Sequence, residues 1–103
     1  MLREVQEPRV FDIVAVGVLA MADSLHRQFA LTLDASAGRP EVLKRKRIVR
    51  GDYPAAIGDV IREGGWWGNR VSATIRVRRD GVISSSTVRP PTFTLVNVGP
   101  PPG

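Results

Sequence analysis

The chain has 103 residues, no cysteine and one histidine, His26, so composition excludes disulfides, thiolate metal sites and metal centres built on clustered histidines. It is 43% hydrophobic and 24% charged, the balance of one small globular domain with a modest core. The formal charge is +5, and it is uneven: residues 1–40 carry four arginines against five acids, residues 41–103 eleven Lys/Arg against five acids.

That asymmetry implies an anionic partner for the second part, either nucleic acid or an acidic protein surface. Arginine outnumbers lysine thirteen to two. This suits bidentate contacts with phosphate or carboxylate, and it also follows from GC-rich coding. Membrane contact is not expected. The most apolar run, Ile13 to Ala22, is shorter than the roughly 20 residues a helical span needs. Met1-Leu2-Arg3-Glu4 leads into acids and Pro8 rather than an apolar signal core.

In chain order, residues 1–8 read as an arm ended by Pro8, with Leu2 and Val5 its apolar residues apart from Met1. Residues 9–34 fit two templates. Val14, Val18, Met21, Leu25, Phe29 and Leu33 fall at helical spacing. The β-branched run Val10 to Val16, a connection from Met21 to His26, and the alternating Gln28 to Asp34 instead make a hairpin. Gly17 in mid-helix would cost about 1 kcal/mol, and the rest of the chain reads as β, so the hairpin is preferred. Residues 35–40 are a loop by composition. Glu41 to Arg50, with the run Lys44-Arg45-Lys46-Arg47, reads as an edge strand, or as a helix started by Pro40. Gly51-Asp52-Tyr53-Pro54 is a turn cluster.

Pro54 and Gly64 bracket a short helix over Ala55 to Glu63. Gly58-Asp59 also permits a turn followed by a strand Val60-Ile61-Arg62. Val71 to Arg79 alternates cleanly, with Ala73, Ile75 and Val77 on one face. Asp80-Gly81 signals a hairpin turn, Val82 to Arg89 the return strand, and Thr92 to Val98 the last strand. Gly99-Pro100-Pro101-Pro102-Gly103 is an extended tail. The predicted organisation is an arm (1–8), one domain (9–98) and a tail (99–103). The predicted fold is mostly β, a small sandwich or barrel of six or so strands.

No set of side chains announces catalysis, and no cofactor or metal is expected. Asp23, Ser24 and His26 fall in one turn, where such groups bond the backbone. Asp52, Asp59 and Glu63 match no ligand spacing. Gly64-Gly65-Trp66-Trp67-Gly68-Asn69-Arg70 lacks the lysine and Ser/Thr of a phosphate loop. Its tryptophans are the strongest binding feature. Adjacent residues in a strand point to opposite faces, so one indole enters the domain's own core at most and the other covers a partner. Lys44, Arg45, Lys46, Arg47, Arg70, Arg76 and Arg78, with Trp66 and Trp67, form the candidate partner-binding set. They suit a protein interface, where arginine and aromatics are enriched, or single-stranded nucleic acid, where bases stack on indoles.

Arg9-Val10-Phe11-Asp12-Ile13-Val14-Ala15-Val16, followed after a polar connection by His26-Arg27-Gln28-Phe29-Ala30-Leu31-Thr32-Leu33, resembles a strand pair of head–tail joining proteins of tailed bacteriophages. The resemblance covers residues 9–34. In that family the pattern comes near the C-terminus of the domain, whereas here it lies near the N-terminus. It implies a small β-barrel subunit of a virion ring, a homo-oligomer contacting itself or other virion proteins. The expected function is therefore a structural subunit located in the virion, otherwise cytoplasmic. The alternative is a nucleic-acid-binding β-barrel.

Overall fold

The computed structural model describes residues 9–34, 43, 46–79 and 91–102. Five strands and one helix make it mostly β: β1 (Arg9–Asp23), β2 (Gln28–Leu33), β3 (Ile48–Asp52), α1 (Ala55–Gly64), β4 (Arg70–Arg79) and β5 (Thr92–Gly99). The strands close in a ring in the order β1-β2-β3-β5-β4, with β4 returning to β1. All pairings are antiparallel except β3 with β5, which run parallel and meet at Asp52 and Thr94.

The 15-residue β1 makes closure possible. Its first part pairs with β4, from Arg9 opposite Arg79 to Val18 opposite Arg70. Its second part pairs with β2, from Gly17 opposite Leu33 to Asp23 opposite Gln28. Gly17 and Val18 are paired on both sides. A Cβ at residue 17 would sit 2.1 Å from the Thr32 carbonyl oxygen, so only glycine lets β1 approach β2 at this crossing. Gly51 has the same role at the opposite seam, where a Cβ would lie 2.1 Å from the Phe93 carbonyl oxygen.

Strand alternation fills the ring. Leu19, Phe29, Leu31, Val49, Val71, Ala73, Ile75, Val77 and Leu95 point inward and are fully buried. No polar or charged residue joins them among the described residues. Helix α1 adds Ile61, fully buried, with the half-buried Ile57 one turn earlier on the same face. Pro54 starts the helix: its carbonyl accepts from Ile57 N–H and Gly58 N–H. Gly65 ends it in the left-handed conformation, φ 67°.

The hairpin reading of residues 9–34 and the strand at Val71 to Arg79 match the structure. Several boundaries differ. The first strand continues through Met21 to Asp23 because it serves two neighbours. Of the predicted strand from Glu41, the described residues Leu43, Lys46 and Arg47 are not in a strand, β3 covers Ile48–Asp52, and Gly51-Asp52 belong to it rather than to a turn. Val60-Ile61-Arg62 is helical, since Ile57 and Ile61 share a buried face that outweighs the cost of Gly58. The last strand takes Gly99, leaving Pro100 to Pro102 without regular structure. Five strands, not six, stand among the described residues. The arm, the Asp80-Gly81 turn and the strand Val82 to Arg89 lie outside them.

Candidate functional site

Trp66 and Trp67 are not in a strand. They occupy the loop between α1 and β4, so strand alternation does not separate them. Both are half-buried and both pack on the core, which corrects the expectation that at most one would. The loop is bonded to β1 from both sides: Gly68 N–H donates to the Leu19 carbonyl at 2.6 Å, and Leu19 N–H to the Asn69 carbonyl at 3.0 Å. Trp67 tilts against Tyr53 with centroids 5.5 Å apart. Trp66 N–H donates to the Ile61 carbonyl at 3.0 Å.

The cations do not form one face. Arg70, Arg76 and Arg78 do point outward together from β4, as alternation requires. Arg70 Nε, however, donates to Asp34 Oδ2 at 2.6 Å, and Arg76 Nε to Asp12 Oδ1 at 3.0 Å across the β1–β4 pair. The Asp12 carboxylate raises the Arg76 pKa above its ordinary value through this bond and its charge. Lys46 sits over the Phe93 ring, 5.6 Å from its centroid, at the cation–π distance. Arg47 is exposed before β3. Lys44 and Arg45 lie outside the described residues.

Five guanidiniums have no side-chain bond or ion pair among the described residues: Arg9 and Arg79, opposite each other at the end of the β1–β4 pair, and Arg27, Arg47 and Arg50. Arg50 points outward from the middle of β3, opposite Ala30 of β2. Arg27 immediately precedes β2, and Arg47 immediately precedes β3. Between them the outward residues are short or apolar. One row across the sheet runs Val18, Thr32, Ile48; the next runs Ala20, Ala30, Arg50. Low side chains flanked by free cations leave room for a chain to lie on the sheet. Sequence alone offers no reason to separate Arg27 and Arg50 from the other arginines. The register of β3 against β2 sets Arg50 on this face, and Arg27 lies in the turn at its edge.

At one end of this face, Leu25, His26, Arg27, Asp52, Tyr53, Pro54 and Thr94 line a cleft of about 390 Å³. The β1–β2 loop beside it is held by Asp23. That carboxylate accepts from His26 Nδ1 at 2.6 Å, from Leu25 N–H at 3.0 Å and from His26 N–H at 3.3 Å. The His26 side-chain bond, then the His26 backbone bond, hold the Asp23 carboxyl below its ordinary pKa. This is the turn expected for Asp23, Ser24 and His26.

Among the described residues no group of three or more His, Cys, Asp or Glu is placed to hold a metal ion. No described helix is long and apolar enough to cross a membrane. No family model, curated protein or solved structure matches the chain.

Proposed function

We propose that the protein binds single-stranded nucleic acid on the outer face of β2 and β3. The observation that carries this reading is the contrast between two sets of arginines. On β4, Arg70 and Arg76 are paired with Asp34 and Asp12, whereas Arg50 on β3 and Arg27 at the edge of β2 have no side-chain partner among the described residues and border a low surface of Ala20, Ala30 and Thr32. Unpaired guanidiniums are available to phosphates without first breaking an ion pair. The ring order, with one helix between β3 and β4, also follows the plan of the OB-type barrel. In such barrels that bind oligonucleotides, strands 2 and 3 and the adjoining loops carry the ligand. Fold likeness only adds to the argument from the site. The half-buried tryptophans serve the fold here, and the sheet face takes the strand. Fluorescence anisotropy with labelled single strands over a salt series tests the reading: binding that weakens steeply with salt supports it, and no binding at low salt removes it.

A second reading has its own observation. Val10, Val14 and Val18 project outward from β1 and are 56%, 57% and 41% exposed. An apolar strip of this kind suits a protein interface. It supports a subunit of a repeating assembly, such as a virion ring, that buries β1 against a neighbour. Light scattering separates the two, because a monomer at high concentration removes the assembly reading.

A further inference from the structure

We infer that the cleft beside the β1–β2 loop selects a base carrying an exocyclic amine, cytosine above all, with Asp52 as the acceptor and Arg27 on the flanking phosphate. The inference rests on the single-strand reading above and adds a base preference to it.

Asp52 is the group that needs explaining. It ends β3 opposite Gln28 of β2, at the rim of the face that carries Arg50, and lines the same cleft as Arg27. A carboxylate beside a bound polyanion repels it, so a site built only for phosphates is better without one. Here the carboxylate is also fixed. Thr94 Oγ1 donates to Asp52 Oδ1 at 2.8 Å, across the seam where β3 meets β5. Asp52 Oδ2 has no partner among the described residues. A fixed carboxylate with one open oxygen accepts hydrogen bonds and donates none. Aspartate accordingly reads the N4 amine of cytosine, whereas uracil and thymine present a carbonyl oxygen at the same position.

The surroundings fit a base and its phosphate. The cleft volume of about 390 Å³ falls within the ~300–1,000 Å³ of small-molecule sites. Tyr53 and Pro54 give it apolar surface, and the His26 ring lines it as well. Arg27 brings the cation. Its backbone is left-handed, φ 53°, although it is not glycine. Non-glycine residues in that region are uncommon and are retained where the surroundings hold them. Two clamps do so here: the Arg27 carbonyl accepts from Tyr53 N–H at 2.9 Å, and Asp23 holds the preceding turn. These bonds hold the backbone of Arg27 at the edge of the cleft that its side chain lines.

The test compares oligo-dC with oligo-dU of equal length, which differ only at the base edge that Asp52 reads. The folded wild type is expected to bind oligo-dC at least about fivefold more tightly, the lower end for one good base contact. Asp52→Asn offers an amide that donates as well as accepts, so it should lose the preference while still binding both. Thr94→Val, which frees the carboxylate, should reduce the preference without abolishing binding. Arg27→Ala should weaken both oligomers alike and flatten the salt dependence. Equal affinity of the wild type for the two oligomers, or an unchanged preference in folded Asp52→Asn, overturns the inference and leaves the single-strand reading standing. Failure of the wild type to bind either oligomer at low salt overturns both.

Discussion

The ring of Trp67 rests on that of Tyr53, centroids 5.5 Å apart and planes tilted by 55°. Tyr53 follows β3 and is buried, while Trp67 lies in the loop that leads into β4. Their packing ties together two chain segments that are not neighbours in the ring. Trp67→Ala should therefore lower stability, by less than the ~3–5 kcal/mol of a fully buried aromatic because the indole is half exposed. The denaturant midpoint should fall, and the folded variant should bind single strands as the wild type does. An unchanged midpoint with abolished binding would return the indole to the role of a stacking platform.

Closure depends on two glycines. Alanine at residue 17 would place its Cβ 2.1 Å from the Thr32 carbonyl oxygen, and alanine at residue 51 would meet Phe93 in the same way. The obstacle is backbone in both cases, so no side chain can swing aside. Gly17→Ala and Gly51→Ala should each cost at least the upper part of the ~1–3 kcal/mol typical of overpacking. Thermal melts check this, and a loss below about 1 kcal/mol at either site would show that the ring yields there.

The alternation of β4 was legible because its two faces differ: Val71, Ala73, Ile75 and Val77 point in, while Arg70, Arg76 and Arg78 point out. β1 was ambiguous because both of its faces are apolar. The helical spacing of Val14, Val18, Met21 and Leu25 marked no core, since all four are exposed, Leu25 at 83%. The tryptophans misled for a related reason. Their residue type signalled burial, but their orientation follows from the Gly65 helix end and the bonds to Leu19. The arginines of β4 were visible in the sequence. Their neutralisation was not, because Asp12 and Asp34 lie 64 and 36 residues from their partners. The fold was thus legible where local pattern carried it, and the candidate site was hidden because it depends on register between distant strands.

The β1–β2 turn should respond to acid. The Asp23 carboxyl lies below its ordinary pKa, first through the His26 side-chain bond and then through the His26 backbone bond. A lowered folded-state pKa means that the stabilisation is present above the ordinary carboxylate value and disappears as pH falls through the folded one. Lowering the pH below about 4 should release the Leu25 and His26 amides, seen as increased exchange or shifted NMR resonances confined to this turn at first. Asp23→Asn should remove that acid response. A turn whose amides do not move through this range would show that Asp23 does not hold it.

The arginines should separate by strand when tested for binding. Arg47 and Arg50 have no side-chain partner among the described residues, so each is available to a phosphate without breaking a described ion pair. Arg70 and Arg76 are held by Asp34 and Asp12, and a phosphate would have to displace a carboxylate to reach them. Charge removal at Arg47 and Arg50 should weaken single-strand binding and reduce the salt slope by about 0.7 for each phosphate that is no longer neutralised. Arg76→Ala should leave binding nearly unchanged. Its ion pair is exposed, so the expected stability loss is also small, within the ~0–1 kcal/mol of surface pairs. A double variant, Arg47→Ala with Arg50→Ala, measured beside Arg76→Ala across one salt series, decides the matter. Were Arg76→Ala to reduce affinity and slope as much as the double variant does, the strand would lie on the β1–β4 face instead of β2–β3.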